Sequence, residues 1–307
     1  MKPLTVAVPT FLRDRVLEDT IQQVLDQAMP GDEILIVDQT PQHDERTQQF
    51  LEEHNRIGEI RWIHERRASL THARNVALEL ASTEIVVFLD DDVILPSGYL
   101  DVHRRHHDGA FFDLISGPVF EPEVRGNPVE TPDDGPGQVV DTACKIDIRG
   151  SNHSVNVKAA RQVGGYDEKL VGPAHYEEND FARRLFKAGG RILHVPECRL
   201  VHLKAPSGGC RISNPQWREW QRSFNILVFA FRHATELPEF CKLAWAALRA
   251  GPFRKVNVVQ PWRQIPAWLS FCRAVFGAVV CGGKVLNTAK NPSGISGIVP
   301  FSEHFRF

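Results

Sequence analysis

The chain has 307 residues, of which 42% are hydrophobic and 24% are charged, close to the average of soluble globular proteins. This composition excludes a disordered chain and argues against an integral membrane protein. Because 36 Lys and Arg residues stand against 38 Asp and Glu residues, the formal net charge is -2, and no nucleic-acid partner is expected. The six cysteines show neither a C-x-x-C pair nor zinc-finger spacing, which favours a reduced, cytoplasmic setting.

Two features bear on export and on membranes. The N-terminus runs directly into the apolar pattern of residues 6–10 without the features of a signal peptide, so no export is expected. The most apolar stretch of the C-terminal third, residues 274–283, is bounded by Arg273 and Lys284. Because it is shorter than the roughly 18 uncharged residues of a spanning helix, no transmembrane helix is predicted.

Short apolar runs rich in β-branched residues alternate with helical patterns over the first ninety residues. The predicted elements are, in order, strand 4–8, helix 16–27, strand 33–37, helix 44–54, strand 60–64, helix 71–80 and strand 84–89. This alternation predicts an α/β fold with a mostly parallel sheet and helices on both faces. Ligands of such sheets bind beyond the carboxyl ends of the strands, where Thr10, Asp38 and the run Asp90-Asp91-Asp92 lie.

The second half of the chain is less regular. Residues 121–137 are rich in proline and glycine and are predicted to form a loop. The elements predicted after it are a strand at 145–148, a helix at 179–187 and a strand at 191–195. Beyond about residue 213 the pattern becomes helical and aromatic, which predicts a C-terminal helical extension.

The three consecutive aspartates directly follow a buried-strand pattern. Like charges at one strand end repel one another, a divalent cation relieves that repulsion, and hard cations prefer oxygen ligands. A metal site at Asp90, Asp91 and Asp92 is one interpretation, and a solvated turn or helix cap is the other.

Other polar residues at the same edge have two interpretations each. Asp38 suits a ribose or base contact, or an ordinary turn after a strand. Arg74, next to Asn75, suits a diphosphate or a surface carboxylate. The acidic start of the helix at Glu177 and Glu178 suits a general base, or simply the helix dipole.

Several of these segments together resemble glycosyltransferase family 2, and they occur in the order of that family's motifs. The matching segments are VPTF at 8–11, IVDQT at 36–40, ARNVA at 73–77, FLDDD at 88–92, GGYDE at 164–168 and EENDFARRL at 177–185. The resemblance implies the glycosyltransferase A fold, with a nucleotide-sugar-binding half at 1–118, an acceptor-binding and catalytic half at 119–212 and a helical extension at 213–307. It also implies transfer from a nucleotide-diphosphate-sugar to a hydroxyl acceptor, with inversion and with Mg²⁺ or Mn²⁺.

The roles of single residues are carried over by their positions in these motifs. Metal binding is assigned to Asp92 and, late in the acceptor half, to His202. Glu178 is assigned as the catalytic base, with Glu177 as the alternative because Glu-Glu replaces Glu-Asp. The assigned substrate-binding residues are Pro9, Thr10, Asp38, Arg74, Asn75, Asp90, Asp91 and Asp180.

Two departures from the family's motifs leave questions open. Gln39 and Thr40 replace the usual acidic and glycine residues after Asp38, so the contact with the nucleotide base is expected to differ from the family's. Because three aspartates are consecutive, either Asp91 or Asp92 could be the metal ligand of the motif.

Two alternative functions remain, a nucleotidyltransferase acting on a sugar phosphate and an inactive sugar-nucleotide-binding protein. The first is less favoured because residues 10–14 lack the glycine-rich phosphate loop. For the aromatic and basic C-terminal helices, one interpretation is peripheral contact with the inner membrane surface that presents a glycan or lipid-linked acceptor. The other is packing on the catalytic domain or a homodimer interface.

Overall fold

A computed structural model describes residues 1–108, 112–122, 138–139, 146, 148–172, 175–209 and 215–284. The strands are β1 Thr5–Thr10, β2 Glu33–Asp38, β3 Arg61–His64, β4 Ile85–Leu89, β5 Val93–Ile94, β6 Leu114–Ser116, β7 Val119–Phe120, β8 Gln138–Val139, β9 Asn152–Asn156, β10 Ile192–His194 and β11 Leu200–His202. The helices are α1 Arg15–Leu25, α2 Glu45–Arg56, α3 Leu70–Leu80, α4 Tyr99–Asp108, α5 Val157–Gln162, α6 Glu177–Lys187, α7 Pro215–His233, α8 Leu237–Ala250, α9 Lys255–Val259 and α10 Gln264–Lys284.

A central sheet with the strand order β3-β2-β1-β4-β9-β6-β10-β8 organises the chain. The first four strands are parallel, and β9 lies antiparallel between β4 and β6. In the second sheet, β11 pairs antiparallel with β5 and parallel with β7. The predicted α/β fold with a helical C-terminal extension is therefore confirmed.

Both faces of the sheet are buried, as the continuous apolar runs predict. On β4, Val86 and Phe88 face one hydrophobic core with α3 and α6, whereas Ile85 and Val87 face the other core with α1. The parallel strands end at a common edge, and β1 and β2 end there with Thr10 opposite Asp38. This edge carries most of the predicted site residues.

The sequence analysis did not predict β9, although it lies in the middle of the sheet. Its residues are mainly polar, and partners across the core satisfy them. Asn152 accepts a hydrogen bond from the Tyr99 hydroxyl at 2.7 Å, and the Ser154 hydroxyl bonds the rings of His103 and His107 at 2.8 Å each. Burial lowers the pKa of His103 to about 3 and that of His107 to about 4, so both rings are neutral at pH 7.

Two other sequence predictions concern parts of the chain that are only partly described. Most of the loop at 121–137 lies outside the described residues. The strand predicted at 145–148 is described only at Ile146 and Ile148, which are buried and not in a strand. The division into three domains stays a prediction.

In one helix, α10, the window Gln264–Cys281 is long and apolar enough to cross a membrane, and only 17% of it is buried. The sequence analysis considered only residues 274–283, because it took Arg273 as the end of the apolar stretch, and therefore predicted no helix of this length. The helix continues through Arg273, whose guanidinium lies over the rings of Trp217 and Trp220 at 5.6 and 5.5 Å. By itself, one helix of this kind is weak evidence for a membrane span.

Candidate active site

Two aspartates and a histidine converge at the carboxyl end of β4. The Asp92 Oδ1 atom lies 2.9 Å from His202 Nε2, and Asp90 Oδ2 lies 3.6 Å from the same nitrogen. His202 reaches this position because β11 pairs with β5, directly after the aspartates. One ligand atom from each residue lies within 4.8 Å of the others, and carboxylate and imidazole ligands fit a divalent cation such as Mn²⁺.

The electrostatics of this group follow from its contacts. Burial raises the pKa of Asp90, and the charges of Arg74 and His202 offset only part of that rise. Burial also acts to raise the pKa of Asp92, but the hydrogen bond and charge of His202 lower it overall. The hydrogen bond to Asp92 in turn raises the pKa of His202.

The middle aspartate, Asp91, faces the other way. Its carboxylate accepts a hydrogen bond from the Thr10 hydroxyl at 2.7 Å and lies 3.2 Å from Nε of Arg13. Burial raises the pKa of Asp91 to about 7 despite the Arg13 charge. Among the described residues, the group that could hold a metal therefore contains Asp92 and not Asp91.

Arg13 was not singled out by the sequence analysis, although it lies only three residues after the end of β1. It is buried and contacts Asp91 and Asp92 at 3.2 Å each. It also donates to the carbonyls of Ala205 and Ser207. Arg13 thus links the aspartate cluster to the segment that follows β11.

That segment, residues 203–209, lies directly against the site. The amide of Ala205 donates to Asp92 Oδ2 at 2.8 Å, and the amide of Gly209 donates to the Phe11 carbonyl at 2.7 Å. Gly208 has a φ of +73°, and a Cβ there would lie 2.0 Å from the Leu12 carbonyl oxygen. Only glycine fits this close approach.

A second polar group lies next to the first. The guanidinium of Arg74 contacts the carboxylate of Glu177 and lies 3.9 Å from Asp90 Oδ1. It also donates to the Gly150 carbonyl at 2.9 Å and lies over the Tyr166 ring. The observed partner of Arg74 is therefore a buried carboxylate, and its role towards a diphosphate stays a prediction.

The paired glutamates at the start of α6 differ in their surroundings. Glu177 is buried against Arg74, whereas Glu178 is partly exposed. Burial raises the pKa of Glu178 well above its ordinary value, and the negative charge and hydrogen bond of Glu177 add to the rise. Such a pKa suits a group that takes up a proton.

Two predicted substrate-binding residues have structural partners. Asp180 is buried and bonds Arg184, Arg232 and His233 at 2.9, 3.2 and 2.8 Å, which fastens α6 to α7. These contacts hold the pKa of Asp180 well below its usual range, although burial opposes them.

Asn75 fastens α3 to the turn that contains Tyr166. Its side chain accepts from the Tyr166 amide at 2.8 Å and donates to the Tyr166 carbonyl at 2.9 Å. Substrate-binding roles for Asp180 and Asn75 stay predictions, and these contacts do not support them.

At the end of β2, Asp38 is completely buried. Its carboxylate accepts hydrogen bonds from the Thr40 amide, the His43 ring and the Trp62 indole at 2.8, 2.8 and 2.9 Å. Burial opposes the charge of Asp38, but these donors lower its pKa overall. His43 also bonds Asp14, and the two aspartates raise its pKa against the effect of burial.

A cavity of about 260 Å³ adjoins this group, lined by Thr40, Pro41, Gln42, His43, Gln48, Trp62 and His64. Pro9 and Thr10 end the neighbouring strand in register with Val37 and Asp38. The sequence analysis missed His43 and Trp62, because no local pattern marks a buried partner of Asp38.

Two curated proteins are similar to parts of this chain. TuaG of Bacillus subtilis (strain 168) is 37% identical over 94 residues, which is 30% of this chain and 36% of that protein. Poly(ribitol-phosphate) beta-N-acetylglucosaminyltransferase TarP of Staphylococcus aureus (strain N315) is 28% identical over 119 residues, 38% of this chain and 36% of that protein. The matched segments thus span little more than a third of each relative.

Solved structures share the fold over most of the chain. S. aureus TarS 1-349 in complex with UDP-GlcNAc has a TM-score of 0.64 at 18% identity, covering 89% of this chain and 81% of that one. Mannosyltransferase PcManGT from Pyrobaculum calidifontis, in complex with GDP-Man and Mn²⁺, has a TM-score of 0.54 at 17% identity, covering 93% and 80%.

Two family models match the sequence itself. The model of glycosyl transferase family 2 matches residues 5–134, and that of glycosyl transferase family group 2 matches residues 85–281. The second match alone covers more than half of the chain, and both include the aspartates after β4. With this match and the shared fold, the chain belongs to glycosyltransferase family 2.

Proposed function

We propose that this chain transfers a hexosyl or deoxyhexosyl group from a nucleotide-diphosphate-sugar to a hydroxyl of a glycan or lipid-linked glycan, with inversion and with Mg²⁺ or Mn²⁺. One observation carries the proposal. The Asp90, Asp92 and His202 group adjoins the Arg74 and glutamate group, with Arg74 only 3.9 Å from Asp90. The residues that could stabilise a charged leaving group therefore lie next to the residues that could remove a proton.

The proposed donor site extends from the aspartates to the cavity beside Asp38. Thr10 and Asp38 lie at the ends of adjacent strands, where nucleotides bind in parallel sheets. The partly exposed Trp62 ring lines this cavity, and an aromatic face of this kind suits a flat base. The bound UDP-GlcNAc and GDP-Man of the similar structures support this class of donor.

The proposed metal would be held by Asp92 and His202, with Asp90 beside them. When bound, the ion would supply positive charge to the leaving diphosphate, the largest electrostatic requirement of this reaction. Arg13 lies 3.2 Å from the Oδ2 atom of Asp92 and so stabilises the charge of that carboxylate. The Mn²⁺ in the PcManGT complex supports the proposed cofactor.

For the chemical step we propose Glu178 as the base. Glu177 already pairs with Arg74, whereas Glu178 is partly exposed, and burial together with the charge of Glu177 raises its pKa, which makes its carboxylate a stronger base. Glu178 takes the proton of the acceptor hydroxyl as that oxygen bonds to the anomeric carbon, and the nucleoside diphosphate leaves from the opposite face with the bonding electrons. A single displacement of this kind inverts the anomeric centre.

The proposed acceptor is a cell-envelope polysaccharide or its lipid-linked precursor, and the proposed location is the cytoplasm or the inner face of the cell membrane. TarP, by its name a poly(ribitol-phosphate) beta-N-acetylglucosaminyltransferase, supports a polymeric acceptor. Neither alternative function is favoured by an observation. The family models that match are of glycosyl transferases and not of nucleotidyltransferases, and the candidate base Glu178 and the candidate metal ligands are both present.

A donor screen tests the proposal. The purified chain is incubated with UDP-, GDP- and dTDP-sugars, with and without Mn²⁺, and release of the nucleoside diphosphate is measured. We expect release from one class of donor with Mn²⁺ and little release with EDTA. For an identified acceptor, NMR of the product gives the anomeric configuration. Failure of every donor to bind, or release of a nucleoside monophosphate, would overturn the proposal.

A further inference from the structure

The helix α10 has two different sides. Ala267, Ala274 and Ala278 are spaced by seven and four residues, so they form one stripe along the helix, and all three are buried. This stripe packs on α7, where a Cβ on Gly277 would lie 3.1 Å from the Phe224 ring. Small residues therefore let α10 lie close along α7.

The opposite side of α10 is apolar and exposed. Ile265 is 73% exposed, Leu269 67% and Phe276 66%. Neighbouring residues of α8 and α9 and of the turn before α10 extend this surface. We define the apolar face as Trp245, Val258, Val259, Trp262, Ile265, Trp268, Leu269, Phe276, Val279 and Val280. Exposed apolar residues gathered on neighbouring elements in this way mark an interaction site.

The charges around the apolar face have one sign. Residues 237–284 contain seven Lys or Arg residues and a single acidic residue, although the whole chain carries a net charge of -2. That acidic residue, Glu239, pairs with Arg183 of α6. Lys242, Arg249 and Lys255 are exposed. Arg254 and Arg263 pair with Glu219 of α7, so the exposed positive charge beside the apolar face is that of Lys242, Arg249 and Lys255.

We propose that the apolar face binds an anionic lipid bilayer, with α10 lying in the headgroup region parallel to the membrane plane. Aliphatic side chains, exposed tryptophans and basic residues together suit this region, where apolar burial and attraction to anionic lipid act together. A second copy of the chain fits less well, because two such surfaces face to face bring like charges together. A membrane-spanning α10 also fits poorly. The alanine stripe packs α10 on α7, so a spanning α10 would bring Arg218, Arg222 and Arg232 of α7 towards the hydrocarbon core, where charged side chains are costly.

The geometry connects this surface with the catalytic region. On α7, Phe224 faces α10, and the next residue, Asn225, bonds the backbone of Val171 at 2.9 and 3.2 Å. Val171 lies six residues before Glu177 in the chain. Lipid binding by α10 would therefore hold α6, with its two glutamates, at a fixed position relative to the bilayer. The use of this position for a lipid-linked acceptor rests on the proposed function, whereas lipid binding itself does not.

Liposome sedimentation of the full chain tests the proposal. The vesicles are phosphatidylcholine alone or phosphatidylcholine mixed with phosphatidylglycerol, at low and high salt. We expect binding to the anionic vesicles that weakens with salt. The variant Ile265→Glu/Leu269→Glu is expected to lose binding by on the order of tenfold or more. The control Met29→Glu/Ile57→Glu changes two exposed apolar residues elsewhere and is expected to bind as the unchanged chain does.

Three outcomes would overturn the proposal. They are no binding to anionic vesicles at low salt, equal binding by the two double variants, and dimerisation without lipid binding that Ile265→Glu/Leu269→Glu removes. Extraction by alkaline carbonate separates an in-plane helix, which is released, from a spanning one, which is retained. Circular dichroism of both variants shows that a loss of binding is not a loss of folding.

Discussion

Arg74 and Glu177 form an ion pair in which the side chains are only 2% and 4% exposed. The pair joins α3 to the first turn of α6, and it leaves the adjacent Glu178 without a cationic partner among the described ion pairs. A buried pair of this kind costs much free energy to break. Glu177 is therefore assigned a structural role, and Glu178 remains the candidate base.

The variants Glu178→Gln and Glu177→Gln test this separation. We expect Glu178→Gln to lower turnover by about 10²- to 10⁴-fold with donor binding kept, because an amide cannot take the proton. Glu177→Gln removes the closest carboxylate from the buried Arg74 and is expected to lower the free energy of unfolding by about 3–5 kcal/mol. Turnover, donor titration and urea unfolding measure these effects. Near-normal turnover in Glu178→Gln, with folded but inactive Glu177→Gln, would reverse the two roles.

The aspartates after β4 give a matched pair of variants for the metal. We expect Asp92→Ala to weaken Mn²⁺ binding and to lower turnover on the order of 10²-fold or more while the fold is kept. Asp91→Asn is expected to keep Mn²⁺ binding, because Asp91 faces Thr10 and Arg13. Calorimetric titration with Mn²⁺ compares the two. Full activity in EDTA, or loss of Mn²⁺ binding only in Asp91→Asn, would contradict the metal assignment.

The contact between α6 and α7 should depend on pH through Asp180. Because its folded pKa is lowered, Asp180 contributes stability above the ordinary aspartate pKa of about 3.9, and this contribution is lost as the pH falls towards the folded pKa. Asp180→Asn should lower the free energy of unfolding by about 3 kcal/mol near pH 7. The difference in unfolding free energy between this variant and the unchanged chain should become smaller as the pH falls.

Urea unfolding between neutral and acidic pH measures this effect. Asp19→Asn is the control, since the Asp19 and Arg15 pair is exposed and should contribute at most about 0.5 kcal/mol. A constant difference between Asp180→Asn and the unchanged chain at every pH would contradict the assignment.

Residues 203–209 are expected to order the aspartate site. Gly208→Ala places a methyl group 2.0 Å from the Leu12 carbonyl at a positive φ, so the contacts of this segment with Asp92 and Arg13 should be disturbed. We expect turnover to fall more than global stability. Gly58→Ala, also at positive φ but in open space, is the control for backbone strain alone.

Proteolysis gives a second test of this segment. Cleavage near Gly208 should slow when nucleotide and Mn²⁺ are present, because a closed segment protects its backbone and excludes water from the donor. A cleavage rate that ligands leave unchanged would count against closure.

The sequence alone determined the α/β fold, the order of the first seven elements and the family. Continuous apolar runs and helical spacing are local patterns, and the motifs after the strands lie at the common edge of a parallel sheet. The sequence analysis did not find β9, because the partners of its polar residues, among them Tyr99, His103 and Tyr166, come from other parts of the chain.

Only the tertiary structure decided how the site side chains are paired. Asp91 and Asp92 are adjacent in the sequence, yet in the bend between β4 and β5 one faces Thr10 and the other faces His202, which lies 110 residues after Asp92 in the chain. Likewise, the partner of Arg74 is Glu177, a residue 103 positions away. Local sequence patterns carry no information about such contacts, because they depend on which elements pack together after the chain has folded.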